Sequence, residues 1–191
     1  MSTTYFDTLS KSYTQVPVTD EGIDTPSFLE ATEGLINMLD LLGSSAFKPV
    51  QSDMSGNVKK IRERYNSDNA KNSTLQKLIT SEKADNKKTA TEGLLWLTRG
   101  LSFCAQALRH SHNNEAEELT ESFTKAYETT LKPHHSMMVR PIFSLAMKAC
   151  PYRKDFYAKL GSDTDKVRKQ LSEWLVALEG HLQTLTKVVG V

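Results

Sequence analysis

Long hydrophobic runs are missing from this 191-residue sequence. Its most apolar stretch, GLSFCAQAL, is far shorter than the roughly 18 residues that a membrane-spanning helix needs. The first residues, MSTTYFDTLSKSYTQ, lack the basic and apolar regions of a secretory signal peptide. We therefore expect a cytoplasmic protein that meets membranes only peripherally, at their cytosolic faces.

A block of like charges is also missing. The 24 Lys and Arg residues are scattered among 23 Asp and Glu residues, which leaves a net charge of +1. This balance excludes the strong basic field that is typical of nucleic-acid binding, so we expect no nucleic-acid partner. Hydrophobic residues make up 38% of the chain, which is enough for one soluble globular domain with a buried core.

Cysteines and catalytic motifs are scarce. Cys104 and Cys150 form no CxxC pair and lie in apolar helical context, which predicts buried, reduced thiols. His110 and His112 lie at a predicted helix end and belong to no Cys/His set with zinc-ligand spacing, which argues against zinc. The GxSxG, HExxH, Walker-type and GxGxxG motifs are absent. We expect no metal, no cofactor and no enzymatic activity.

Apolar residues recur at helical spacing along most of the chain. Thr25 followed by Pro26 predicts an N-cap and a helix start, and Gly43 predicts the end of that run. The last helix carries apolar residues at three-and-four spacing from Val167 to Leu185. No segment alternates with the period of two that marks a strand. The sequence predicts an all-α single domain over residues 25–191, preceded by a flexible N-terminal arm, residues 1–24, which is polar and aperiodic.

Two further boundaries follow from short patterns. Asn114 with Glu117 three residues later predicts a capping box and a helix start. The segment PHHSMMVRPIFSLAMKACP contains three prolines, which predict a helix with a break or kink.

A row of polar side chains lies on the second predicted helix. Asn57 lies about 40° and Lys60 about 20° from Asp53 around the helix axis, beside a separate apolar stripe. Such a row is either the solvated edge of the helix, an Asp53–Lys60 ion pair or a ligand-binding group. Gly56 costs helix stability, about 0.5–1 kcal/mol relative to Ala, which suggests that something approaches the backbone there.

A second row follows Trp96 on a long apolar helix. Gly100 and Phe103 lie within about 40° of Trp96 around the axis. Trp96 is either a core residue, with Gly100 allowing close helix packing, or it lines the mouth of a pocket whose wall includes Phe103. The pattern leaves both interpretations open.

Four stretches in order carry a resemblance to a known family: FLEATEGLINMLDLLGSSAFKPV, SDMSGNVKKI, GLLWLTRGL and KAYETTLKPHH…PIFSLAMKACPYRKDF. Together they resemble the glycolipid transfer protein family, and a fungal member in particular, from about Phe28 to the last helix. The resemblance implies a two-layer helical sandwich of about eight helices. It also implies a non-enzymatic carrier of one glycosphingolipid between membranes, working as a monomer with transient contact to a membrane surface.

The resemblance also implies roles for particular residues. Asp53, Asn57 and Lys60 would contact the sugar headgroup, and Trp96 would lie under the first sugar ring. His135 would join Asp53 in holding the ceramide amide. The ceramide chains would lie in an apolar pocket; its expected lining is Phe103, Leu108, Met138, Phe143 and Met147.

The chain departs from the family at two places. Met137 stands where many animal members have a membrane-docking Trp, which suggests a weaker or different membrane contact. The C-terminus, KVVGV, lacks the aromatic residue that the family places near the sugar. Three alternatives stay open: a helical lipid enzyme with Asp53 and His135 as an acid–base pair, a glycolipid sensor, and a carrier of phosphosphingolipids.

Overall fold

The computed structural model describes residues 2–190, which form eight α-helices and one short β-hairpin. In the hairpin, β1 (Val18–Thr19) pairs antiparallel with β2 (Gly22–Ile23). The helices are α1 (Thr25–Met38), α2 (Lys48–Ser67), α3 (Leu75–Ala84), α4 (Thr89–Asn113), α5 (Leu119–Thr130), α6 (Arg140–Lys148), α7 (Arg153–Leu160) and α8 (Thr164–Val189). The predicted all-α, two-layer domain of about eight helices is confirmed. The hairpin escapes sequence prediction because its strands are too short to show an alternation.

The first helix begins at Thr25, and its N-cap lies one residue before the predicted one. The Asp24 carboxylate accepts the Ser27 N–H at 3.1 Å, whereas the Thr25 hydroxyl donates to the Asn72 carbonyl at 2.8 Å. Asp24 is therefore the N-cap. Gly43, with φ of 69°, ends the 3-10 turn that follows α1, as the sequence predicted.

The predicted capping box of Asn114 and Glu117 is wrong. The Asn114 N–H donates to the His110 carbonyl at 3.1 Å, so this residue ends α4 instead of starting α5. The Glu117 carboxylate accepts from the Ser122 hydroxyl at 2.6 Å, which fastens the loop to α5. The predicted break in the proline-containing segment is confirmed, because a 3-10 turn, Lys132–His134, and α6 are separated by non-helical residues.

Helix α4 is the centre of the domain. It packs against α2, α3, α5 and α8, and α1 packs against α2. Its start is fixed by the buried Glu82, whose carboxylate accepts the N–H groups of Ala90 at 2.8 Å and Thr91 at 2.6 Å. A carboxylate at a helix N-terminus satisfies free backbone donors and complements the helix dipole. Within residues 2–190, no helix combines the length and the apolar character needed to cross a bilayer.

The N-terminal segment is packed against the domain. Tyr13 is buried, its hydroxyl lies 2.9 Å from the Thr32 hydroxyl, and its ring centroid lies 5.4 Å from that of Trp174. Ile23 is buried as well. These contacts correct the expectation of a loosely attached arm over residues 2–24. The buried residues of this segment follow neither the helical nor the strand period, so the pattern does not reveal their attachment.

Candidate functional site

Two glycines bring α4 close to α2. A methyl group added at Gly93 would lie 3.3 Å from Lys60 Cβ and 3.4 Å from the Asn57 carbonyl oxygen. One added at Gly100 would lie 3.4 Å from Met54 Cγ. The two helices therefore run antiparallel. Since Trp96 lies between the two glycines in the chain, it is level with the polar row of α2.

The polar row lies at the edge of this contact. Asp53 and Lys60 are exposed, whereas Asn57 is buried. The Lys60 ammonium lies 3.4 Å from Asn57 Oδ1, and within residues 2–190 no ion pair joins Lys60 to Asp53. Although the Asp53 side chain reaches solvent, burial among its neighbours raises the pKa of its carboxyl, and the Lys60 charge opposes that shift. The row thus presents a carboxylate, an amide and an ammonium group on one edge.

The expectation that something approaches the backbone at Gly56 is wrong. Gly56 is exposed, and a methyl group added there would meet nothing within 4 Å. The close approach occurs instead at Gly93 and Gly100, on the opposite helix. One interpretation of the Trp96 helix combined a core tryptophan with close packing at Gly100. The close packing is present, but Trp96 is only half-buried and is therefore not a core residue.

Trp96 is half-buried and has one aromatic and one cationic neighbour. The His135 ring stacks on it with a centroid distance of 6.1 Å and an interplanar angle of 21°. The Arg99 guanidinium carbon lies 4.7 Å from the indole centroid, a cation–π distance. The structure therefore brings His135, which comes from the loop before α6, onto the tryptophan of α4.

His135 is held by a second group of contacts. Its Nδ1 lies 3.2 Å from the Tyr127 hydroxyl, and its ring centroid lies 4.4 Å from that of Phe143. The Arg140 Nε–H donates to the His135 carbonyl at 3.1 Å. Burial lowers the pKa of the imidazole, and the charges of His134 and Arg140 lower it further. A neutral ring with a fixed orientation results.

The expected lining residues divide into two groups. Phe103 and Phe143 both contact Tyr127, with centroid distances of 6.3 Å and 5.4 Å, and so belong to the aromatic cluster around His135. Leu108 lies five residues after Phe103 on α4, and Met147 is buried on α6. Met138 was expected in the lining, but it is 86% exposed. It precedes α6 in the non-helical link, where an apolar side chain has no layer to pack against.

Leu108 borders a small closed cavity in the apolar core. The cavity is lined by residues of α1, α4, α5 and α7: Leu35, Met38, Cys104, Leu108, Phe123 and Phe156, with Leu39 and Leu42 after α1. The cavity has a volume of only about 10 Å³. This is about the room that one water molecule needs. An apolar hollow is present, and it is closed.

Sequence reasoning missed Arg99, Tyr127 and Gly93. Arg99 follows Trp96 by three residues, a spacing that places side chains one turn apart on a helix face. Gly93 precedes Gly100 by seven residues, two turns on the same face. Both spacings were available signals. The contact of Tyr127 with His135 had no such signal, because it depends on the path of the non-helical link before α6.

The site offers hydrogen-bonding groups beside an aromatic surface. Within the described part of the chain, no three His, Cys, Asp or Glu residues are grouped to hold a metal ion. Burial raises the pKa of the Cys104 thiol to about 12. A carboxylate, an amide and an ammonium group beside an indole are suited to binding a hydroxyl-rich ligand.

The chain matches known proteins over most of its length. Residues 23–162 match the family model described as glycolipid transfer protein. A curated glycolipid transfer protein from Aureobasidium melanogenum is 55% identical over 182 residues, which cover 95% of this chain and 90% of that protein. The crystal structure of HET-C2, a fungal glycolipid transfer protein, has a TM-score of 0.95 at 49% identity and covers 98% of this chain and 97% of that one. A structure that addresses how FAPP2 selects simple glycosphingolipids has a TM-score of 0.88 at 33% identity, with coverage of 98% and 97%.

Proposed function

Since the chain belongs to the glycolipid transfer protein family, we propose that it binds one glycosphingolipid and carries it between membranes chemically unchanged. The observation that carries this proposal is the stack of His135 on Trp96, level with the polar row of α2. In this proposal the protein works as a monomer at the cytosolic faces of membranes.

The polar row binds the sugar. The Asp53 carboxylate accepts hydrogen bonds from sugar hydroxyls, the Lys60 ammonium donates to them, and the Asn57 amide does both. Within residues 2–190 no hydrogen bond occupies the Asp53 carboxylate, so it is available to a ligand. Bonds to charged groups are about twice as strong as bonds between neutral ones. The C–H face of the sugar packs on the half-buried indole of Trp96.

His135 binds the ceramide amide together with Asp53. Its Nδ1 faces the Tyr127 hydroxyl, so a phenolic O–H donated to Nδ1 leaves Nε2–H as a donor for the amide carbonyl. The Asp53 carboxylate accepts the amide N–H. The aromatic cluster of Phe103, Tyr127 and Phe143 adjoins this point and leads into the apolar core.

A neutral sugar fits this edge better than a phosphate. Phosphate recognition favours several Arg and Lys groups that can form paired hydrogen bonds. Here Lys60 is accompanied by the carboxylate of Asp53 and the amide of Asn57, and a carboxylate repels a phosphate. The proposal is therefore a simple neutral glycosphingolipid.

The ceramide chains need more room than the closed cavity has. Each methylene left in water costs roughly 0.8 kcal/mol, so two long chains forfeit on the order of 20 kcal/mol unless they are sheltered. We expect the chains to enter between α4 and the helices that border the cavity, and to push these apart. Leu108, Met147 and their buried neighbours line the space that opens. Methionine side chains adapt their shape at low cost, which suits chains of different lengths.

An exposed apolar face adjoins the site: Met137, Met138, Ile142 and Leu145, together called the docking face here. All four side chains are exposed. From Leu131 to Lys154 the sequence has no Asp or Glu, but it has five Lys and Arg residues. Exposed apolar residues amid basic charge fit the surface of a membrane that contains anionic lipids. Since His135 lies two residues before Met137, a membrane at this face would be next to the site.

The test is transfer of fluorescent glucosylceramide between vesicles. We expect Trp96→Ala and Asp53→Val to abolish transfer while the helical circular dichroism persists. Lys60→Ala should lower transfer, whereas Lys59→Ala should not, because Lys59 is an exposed lysine one position away that points about 100° from Lys60 around the helix. Full transfer by folded Trp96→Ala and Asp53→Val proteins would refute the proposed headgroup site.

A competition experiment separates the headgroup classes. Unlabelled glucosylceramide should displace the fluorescent ligand, and ceramide 1-phosphate should not. Preferential displacement by the phosphate lipid would instead identify a phosphosphingolipid carrier. Mass spectrometry of the recovered ligand should show an unchanged molecule, whereas hydrolysis would indicate an enzyme.

A further inference from the structure

Five of the six methionines lie within residues 2–190, and these five are divided sharply by exposure. Met38, Met54 and Met147 are 2%, 1% and 2% exposed, whereas Met137 and Met138 are 84% and 86% exposed. Two adjacent thioethers thus project from the docking face into solvent. Other apolar residues of that face, Ile142 and Leu145, have no oxidisable atom. The oxidisable side chains of the face are therefore confined to two neighbouring positions.

We propose that Met137 and Met138 are a site of reversible oxidation that weakens membrane docking. This proposal rests on the docking face of the proposed function. The reactant is hydrogen peroxide. A lone pair of the thioether sulfur attacks one peroxide oxygen, an S–O bond forms and the O–O bond breaks. The leaving hydroxide takes up the remaining proton as water, so the sulfur loses two electrons and the peroxide gains them.

Exposure gives this reaction its selectivity. Peroxide must reach the sulfur atom, and the three buried methionines are shielded by the packed core. The thiols compete poorly, because thiol oxidation proceeds through the thiolate. Burial raises the pKa of both Cys104 and Cys150 to about 12, so little thiolate exists at neutral pH. A thioether needs no deprotonation.

Oxidation changes what the docking face can bury. A sulfoxide is polar and accepts hydrogen bonds from water, so it favours the aqueous side of a membrane interface. Two conversions remove two of the four exposed apolar side chains of the face. The basic residues around them are unchanged, so a weaker electrostatic attraction to anionic lipid persists. We expect the vesicle partition coefficient to fall by roughly tenfold or more, since fully burying one such side chain corresponds to at least about that factor.

The experiment uses the full chain, dilute hydrogen peroxide and vesicles of phosphatidylcholine with phosphatidylserine. Peptide mass mapping should show addition of one oxygen at Met137 and Met138 well before Met38, Met54 and Met147. Vesicle sedimentation should show the loss of binding. Methionine sulfoxide reductases supplied with a dithiol should restore it, because the dithiol is oxidised to a disulfide and the sulfoxide oxygen leaves as water. Circular dichroism should stay unchanged, which separates lost docking from unfolding.

A variant provides the control. The Met137→Leu/Met138→Leu protein should show the same vesicle binding before and after peroxide treatment, whatever its starting value. Equal oxidation of the buried and the exposed methionines, unchanged binding after conversion of both Met137 and Met138, or an equal loss of binding in the double-leucine protein would each overturn the proposal. If the untreated protein fails to bind vesicles, both the docking face and its oxidation are refuted. If only the oxidation result fails, the proposed transfer function stands.

Discussion

The hydroxyl of Tyr127 provides a sensitive test of how the site is organised. It contributes one contact, 3.2 Å from His135 Nδ1, while its ring is held by Phe103 and Phe143. The substitution Tyr127→Phe removes the hydroxyl and leaves the ring in place. A hydrogen bond of this kind contributes about 0.5–1.5 kcal/mol net. If His135 binds the ceramide amide through Nε2–H, loss of its orientation should lower glycolipid affinity roughly two- to twelvefold.

The matched control is Tyr5→Phe. The Tyr5 hydroxyl donates to the Gly34 carbonyl at 2.7 Å, on the N-terminal segment and away from the site. Both variants lose one tyrosine hydrogen bond and should lose similar stability, about 1 kcal/mol. Only Tyr127→Phe should bind and transfer glucosylceramide more weakly. Equal transfer by the two variants would refute the role given to the Tyr127 hydroxyl.

The imidazole itself offers an independent readout. Nitrogen NMR shifts of His135 should show Nε2–H as the main tautomer in the unmodified protein at pH 7.5. In Tyr127→Phe a mixture of tautomers should appear. A His135 that is mainly Nδ1–H in the unmodified protein would contradict the proposed contact with the ceramide carbonyl, whatever the transfer rates.

The remaining predictions concern stability and pH. Tyr13→Ala should lower the free energy of unfolding by about 3–5 kcal/mol in urea titrations, because removal of a buried aromatic ring leaves a cavity. The control, Thr14→Ala at an exposed position, should have little effect. Equal free energies for the two variants would indicate an unattached N-terminal segment. Glu82→Gln should cost about 2–3 kcal/mol, since the buried Ala90 N–H and the partly buried Thr91 N–H lose a charged acceptor. An unchanged free energy of unfolding in the same titration would contradict the capping role. Burial lowers the pKa of both His135 and His112 in the folded state, so unfolded chains bind more protons and stability should fall as pH drops below about 6.5. His135→Gln should remove part of that pH dependence, and an unchanged slope would contradict it.

The helices and much of the polar row were predictable from the sequence, because both follow the helical period. The stripe of α2 that contains Met54, Val58 and Ile61 is buried, and Asp53 and Lys60 lie at its edge. Gly43 ends the 3-10 turn after α1, where the backbone takes a left-handed conformation that favours glycine. In these places local geometry decides the structure.

Contacts between distant segments were not predictable in the same way. The burial of Tyr13 depends on α1 and α8, and the stack of His135 on Trp96 depends on the course of a non-helical link. The resemblance to a family suggested that His135 belongs to the site, but no spacing in the chain did. Met138 shows the opposite error, since an apolar residue in an apolar segment suggests burial, yet it lies in a link with no partner layer.

The glycine contacts between α2 and α4 bear on how the proposed lipid could be accommodated. Gly93 and Gly100 pack directly against Lys60 and Met54, so these two helices leave no room between them. The hollow beside Leu108 is bordered on its other sides by α1, α5 and α7. If the chain carries a glycosphingolipid as proposed, a hydrocarbon tail should therefore displace these three helices and leave the edge with Asp53 and Lys60 unchanged. Headgroup binding would then be independent of tail length, and one protein could accept a range of ceramides with the same sugar.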